Sequence, residues 1–220
     1  MKIFAIDTSS DQICLAYSDG KNIYSASYVG EQRHMVKLAP MIEDFSRLAG
    51  LRFEELDALA CGVGPGSLTA LRIGIATVQA IACAHGKRII PVVSSKVMAM
   101  NFLFHEGHVV VVKHAREHFV YFSCYQKSEE VLSPKVLSLQ EAFELAQGLR
   151  NPIFAGDAKQ LFQRYGQISP DELEMLRGEL LIREAMENQQ HGVVVEPHRV
   201  EPLYLQKSIA EMNLEKRLGV

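Results

Sequence analysis

"GVGPGSLTALRIG", residues Gly62 to Gly74, decides how the rest of this sequence is read. It sets four glycines, a proline, a serine and a threonine beside an apolar run. A glycine-rich turn before a helix invites comparison with a phosphate cradle. The residue types exclude that reading. No lysine follows Gly66 as GxxxxGK[ST] requires, the glycines alternate rather than follow GxGxxG, and Pro65 lacks an amide that an anion nest would use. What remains is a strand-to-helix turn with Ser67 as N-cap. Gly66, Ala70 and Gly74 then fall four apart on one helix face. A helical glycine is disfavoured by up to about 1 kcal/mol relative to alanine. Close packing is therefore expected on this face, either against the protein's own sheet or against a second chain.

Working outward, "LDALACGVG", which runs into the motif, reads as a buried strand, and Ser67 to His85 as a helix stopped by Gly86. His34 to Ala49 has apolar residues at helical spacing, with Pro40 inside it and Gly50 as its stop. Upstream, "KIFAIDTSS", "DQICLAYSDG" and "KNIYSASYVG" read as three strands joined by tight turns. "KRIIPVVSS" is a further strand, followed by a short helix through Ala99. Hairpins imply antiparallel pairing and crossover helices parallel pairing, so a mixed five-stranded sheet covered by helices is expected.

A second unit begins near residue 103. Val109–Lys113 and Phe119–Gln126 are expected strands around a basic turn, "KHAREH". "SLQEAFELAQG" is an expected short helix, and "NPIFAGD" a strand entering a turn. From Ser169 to Asn188 a long helix is expected, with Ser169 as N-cap, Pro170 at its first position and Glu172 completing a capping box. "VEPLYLQKS" reads as extended and "EMNLEKRLGV" as a frayed end.

With 220 residues, 48% of them apolar, the chain can fill one large domain or two lobes. A net charge of −3 supplies no global field for nucleic acid, so any contact with RNA would be local, weak or made through a partner. Cys14, Cys61, Cys83 and Cys124 form no CxxC and read as buried, reduced thiols. "MKIFAIDTSS" is too short an apolar run for a signal peptide, and no uncharged stretch reaches the 18 or so residues of a membrane span. A cytoplasmic protein without membrane contact is expected.

"AIDTSSDQICLAYSDG" resembles the first phosphate loop of the actin-like ATPase superfamily. That resemblance implies a vestigial nucleotide site at Asp7, Thr8 and Ser9; the other reading is a polar turn capped by Asp7. Together with "HMVKLAPMIEDFSRLAGLRFEELDALACGVGPGSLTALRIGIATVQAIA" and "PVVSSKVMA", the sequence resembles the TsaB (YeaZ) family. The match is dense over residues 3–100 and thins to "FAGDA" and "EPLYLQKS". Leu68 and Ala70 stand where that family usually has phenylalanine and glycine.

The resemblance implies an α/β, actin-like (ASKHA, ribonuclease H-like) fold of two lobes. Residues 1–102 would form the N-terminal, dimerising lobe, and residues 103–220 a reduced C-terminal lobe with a tail. It also implies a non-catalytic subunit that pairs with the TsaD paralogue and works with the ATPase TsaE. That assembly makes threonylcarbamoyladenosine next to the tRNA anticodon. The catalytic paralogue carries HxxxH on its first helix. Here His34 is followed at the second position by Leu38, which cannot bind metal, so neither a metal nor a catalytic residue is expected. No cofactor is expected either, save ATP or ADP supplied at the junction with partners. The expected partner face, which would also form a homodimer when the protein is alone, comprises Met35, Leu38, Ile42, Phe45, Gly66, Ala70, Leu71, Gly74, Ile75 and Val78. The alternatives are an actin-like ATP-dependent phosphotransferase or a metallopeptidase-like enzyme.

Overall fold

The computed structural model describes residues 1–30, 34–127 and 129–205. The expected frayed end, "EMNLEKRLGV", lies outside them. The first sheet contains β1 (Lys2–Asp7), β2 (Gln12–Asp19), β3 (Ile23–Val29), β4 (Ala58–Gly64) and β5 (Ile89–Val93), in the spatial order β3-β2-β1-β4-β5. β1–β2 and β2–β3 are antiparallel, while β1–β4 and β4–β5 are parallel. The second sheet contains β6 (Val109–His114), β7 (Phe119–Gln126), β8 (Glu129–Ser138), β9 (Ile153–Ala155) and β10 (Gln167–Ile168). Its order is β10-β9-β6-β7-β8, antiparallel from β6 to β8 and parallel from β6 to β10. One strand plan thus occurs twice. The second lobe keeps all five strands; its reduction lies in the short β9 and β10.

Alternation along β1 sends Ile3 and Ala5 to one core and Phe4 and Ile6 to the other, so the first sheet is buried on both faces. The Phe4 face is covered by α1 (His34–Ala49) and α2 (Leu68–His85). α2 is long and apolar enough, by length and composition, to cross a membrane, yet Leu71, Ile75, Val78 and Ala82 pack on the sheet. Ser67 caps it, accepting from the Ala70 amide, and Gly86 ends it at φ 61°. The opposite face is covered by α3 (Ser94–Ala99) and α5 (Gly178–Gln190). In the second lobe, α4 (Leu139–Gln147) begins with a capping box between Ser138 and Glu141.

Three expectations are corrected. The helix expected from Ser169 starts at Gly178 instead. Buried Lys159 donates to the Ser169 carbonyl (2.9 Å), the Glu174 carboxylate (2.7 Å) and Asp171, while the Ser169 hydroxyl bonds Glu174. Those bonds fold 169–174 around a short 3-10 turn, Asp171–Leu173, so Ser169 cannot cap a helix. Next, α5 packs against β1, β2, β3 and β5 rather than within a lobe of residues 103–220, because Leu181, Ile182 and Ala185 belong to the core of the first sheet. Finally, β8 went unforeseen. Pro134 interrupts its pattern and the register slips between Phe122 and Cys124, which an edge strand accommodates.

Candidate functional site

The turn after β1 and the turn after β4 lie against one another, and the glycines of the motif make this possible. A Cβ at Gly62 would stand 2.0 Å from Asp7 Oδ2, one at Gly66 1.9 Å from the Ser9 carbonyl oxygen, and one at Gly74 2.3 Å from Thr8 Oγ1. Each glycine therefore meets one residue of the Asp7–Thr8–Ser9 turn. The hydrogen bonds agree. Thr8 Oγ1 donates to the Ala70 carbonyl (2.7 Å), and the Ser67 amide donates to the Ser9 carbonyl (3.2 Å). Asp7 Oδ1 accepts from the Ser9 amide (2.8 Å), and Asp7 Oδ2 from Ser94 Oγ (2.6 Å), which itself accepts from the Gly64 amide (3.1 Å). Asp7, Thr8 and Ser9 are all buried.

Ser94 was not among the residues singled out in the sequence; its only signal was a serine pair after an apolar strand. It opens α3, whose first three residues each reach a different element. Ser94 bonds Asp7, the Ser95 hydroxyl lies 2.8 Å from the Tyr125 hydroxyl on β7, and Lys96 pairs with Glu184 of α5 at 2.9 Å. Glu184 is buried, and desolvation pushes its carboxyl above the usual range, against the pull of Lys96.

Between the lobes lies a cavity of about 980 Å³, lined by Ser9, Ser10, Ser67, Lys113, Asp157 and Glu172 among others. Lys113 opens the basic turn "KHAREH". It is buried and donates to the Pro65 carbonyl (3.1 Å), so it joins the second lobe to the glycine turn of the first. Burial pushes its ammonium pKa down, opposed by Asp7, Asp157, Asp11 and Glu174. Ser9 Oγ has no hydrogen-bond partner among the described residues.

The expected partner face is largely corrected. Leu38, Ile42, Phe45, Ala70, Leu71, Ile75 and Val78 are buried in the chain's own core, and Gly66 and Gly74 receive the Asp7 turn. An apolar helix residue buries first against its own sheet, so these side chains are unavailable to a second molecule. Met35 alone of that set is open, 78% exposed. The outer side of α1 and α2 instead presents Met35, Val36, Ala39 and Leu48 with Ala76, Ala80, Cys83 and Ala84, all exposed. Leu38, at the position of the paralogue's second histidine, points into the core.

Two sheets of one plan, joined through α3 and closing on a cavity, define an actin-like protein of two lobes. Residues 28–161 match the family model described as TsaD, tRNA N6-adenosine threonylcarbamoyltransferase. The tRNA threonylcarbamoyladenosine biosynthesis protein TsaB of Escherichia coli (strain K12) is 26% identical over 223 residues, covering 96% of each chain. The protein of that description from Haemophilus influenzae is 24% identical, covering 99% of this chain and 98% of its own. Among solved structures, an uncharacterized Pseudomonas aeruginosa protein described as similar to peptidase YeaZ superposes with a TM-score of 0.81 at 27% identity. It covers 93% of this chain and 99% of its own. The chain belongs to the TsaB (YeaZ) family.

Proposed function

We propose that this protein acts in tRNA threonylcarbamoyladenosine synthesis as a non-catalytic subunit, pairing with a TsaD-type paralogue through the outer side of α1 and α2. The observation that carries this reading is the character of that surface. Met35, Val36 and Leu48 of α1 are 78%, 65% and 83% exposed, and Ala76, Ala80 and Ala84, which share one face of α2 at helical spacing, are exposed as well. Exposed apolar side chains on one helix and a row of small residues on the next suit a close helix-on-helix contact. The names of the E. coli and H. influenzae relatives supply the pathway. The condition of the first-lobe turn supports a non-catalytic role. The Asp7 and Thr8 side chains and the Ser9 backbone are engaged by the chain's own groups, and Leu38 replaces the second histidine of the paralogue's pair. ATPase action by TsaE, nucleotide at the subunit junction and a cytoplasmic site of action complete the proposal.

The test is to mix the purified protein with its TsaD-type paralogue and TsaE, then measure threonylcarbamoylation of tRNA with and without it. Complex formation and a rate dependent on this chain are expected. An unchanged rate with no complex would overturn the reading. A magnesium-dependent ATPase abolished by Asp7→Asn would favour the phosphotransferase instead.

A further inference from the structure

Two buried polar groups reach the Pro65–Gly66 turn from different lobes. Ser9 is 1% exposed and Lys113 4%, and both line the cavity between the lobes. A Cβ on Gly66 would stand 3.0 Å from Ser9 Cβ, and Lys113 Nζ lies 3.1 Å from the Pro65 carbonyl oxygen. Among the described residues Ser9 Oγ has no hydrogen-bond partner. The Pro65 carbonyl is likewise the one acceptor there for the three N–H groups of the Lys113 ammonium. α2 starts at the same wall, with Ser67 and Leu68 in the lining, and its first amides have no acceptor within the helix. A buried hydroxyl and a buried ammonium each need partners, so this corner suits an incoming acceptor of negative charge.

Two features favour a small anionic group over a polyphosphate. The turn amides that would cradle phosphates are already used: Ser9 donates to Asp7, Ser67 to the Ser9 carbonyl and Gly64 to Ser94. The lining is also acidic, with Asp11, Asp157, Asp171, Glu172 and Glu174 against Lys113 and His114. A multiply charged anion is repelled there. Asp157 accepts from the His114 amide, and Asp171 and Glu174 pair with Lys159. Asp11 and Glu172 have neither an ion pair nor a side-chain hydrogen bond among the described residues. Asp11 lies two residues beyond Ser9, no more than about 7 Å of chain away. Leu68, Met98, Tyr121 and Met175 add an apolar stretch to the same wall.

We infer that the cavity binds a free α-amino acid with an apolar side chain. Its carboxylate accepts from Lys113, Ser9 Oγ and the start of α2, its ammonium lies toward Asp11, and its side chain packs against Leu68, Met98 and Met175. A small zwitterion carries both charges at the spacing of one turn, whereas a lone carboxylate or a lone amine answers only half of the site. The volume of about 980 Å³ leaves room for the side chain and bridging water. Neither the site nor its ligand depends on the paralogue pairing proposed above.

Isothermal titration calorimetry on the full chain tests this with L-leucine, L-methionine and L-phenylalanine. Each is compared with its amide, which lacks the carboxylate, with its deaminated acid, which lacks the ammonium, and with magnesium ATP. Saturable binding is expected for at least one of the three, about tenfold or more tighter than for its amide or deaminated acid, with none for ATP. Ser9→Ala removes a hydroxyl that bonds nothing in the chain, so the melting temperature should stay unchanged while affinity falls about tenfold. Asp11→Asn should bring the affinity of the amino acid down to that of its deaminated acid. Lys113→Met should abolish binding; should it fail to fold, Ser9→Ala and Asp11→Asn decide the matter. No binding of the three amino acids, equal affinity for the amide or the deaminated acid, tighter binding of ATP, or native affinity in Ser9→Ala would each overturn the inference.

Discussion

Thr8 Oγ1 occupies the place that a side chain on Gly74 would need: a Cβ there would lie 2.3 Å from it, while Thr8 donates to Ala70 one turn earlier on the same helix. Gly74→Ala should therefore destabilise the fold despite alanine's better helix propensity. Displacing Thr8 sacrifices a buried hydrogen bond and forces repacking, with an expected net loss of about 1–3 kcal/mol. Urea unfolding measures it. No loss, or a gain, would mean that the turn relaxes freely.

Ala70 and Ala76 lie on opposite sides of α2, one buried and one exposed. Ala70→Trp should lower stability by at least about 3 kcal/mol, because the ring has no room between α2 and the Asp7 turn. Ala76→Trp should change stability by no more than about 0.5 kcal/mol, yet abolish association with the TsaD-type paralogue. Thermal melts and co-elution of the two chains separate these outcomes.

Cys83 is the exposed cysteine of the four, and it lies on the outer side of α2 with Ala76 and Ala80. Burial pushes the Cys14 thiol up to about 12 and the Cys124 thiol to about 11, and raises that of Cys61 as well. A disulfide thiol reagent at mild pH should titrate one thiol in the native protein and all four after denaturation. Cys83→Ser should remove the native reaction, and binding of the paralogue should slow it.

Glu184 has its carboxyl pKa raised in the folded state, chiefly by desolvation. A raised folded value means that the folded state holds the proton more tightly. The stabilisation from this group is fully present below the unfolded value near 4.5 and is lost as pH rises through the folded value. Urea midpoints of the native protein minus those of Glu184→Gln, measured from pH 4 upward, should fall across that window. A flat difference would sink the argument.

The first sheet was readable because its strands are short apolar runs between clear turns, and both long helices carry their own stop glycines. The second sheet was less so. Pro134 disguised β8, and β10 is too brief for any period to register. The capping pattern at Ser169 was locally sound, but Lys159 had prior use for the carboxylates around it. In the candidate site, Asp7, Thr8 and Ser9 were visible as a group from their chemistry. Ser94 and Lys113 were not, since both reach the turn only through strand order and the meeting of two lobes.

The glycine motif states the division most clearly. By itself the sequence determined that Gly62 to Gly74 is a strand-to-helix turn without the lysine and amides of a phosphate cradle, and that close packing occurs there. Which surface those glycines admit was decided by the tertiary structure alone. β1 and β4 pair side by side, their turns are pressed together, and Asp7, Ser9 and Thr8 fill the space left by three absent side chains. Helical periodicity marks which residues share a face, but burial is settled by what the rest of the chain lays against that face. Leu38, Ala70 and Ile75 accordingly belong to the core, and Met35, Leu48 and Ala76 remain exposed.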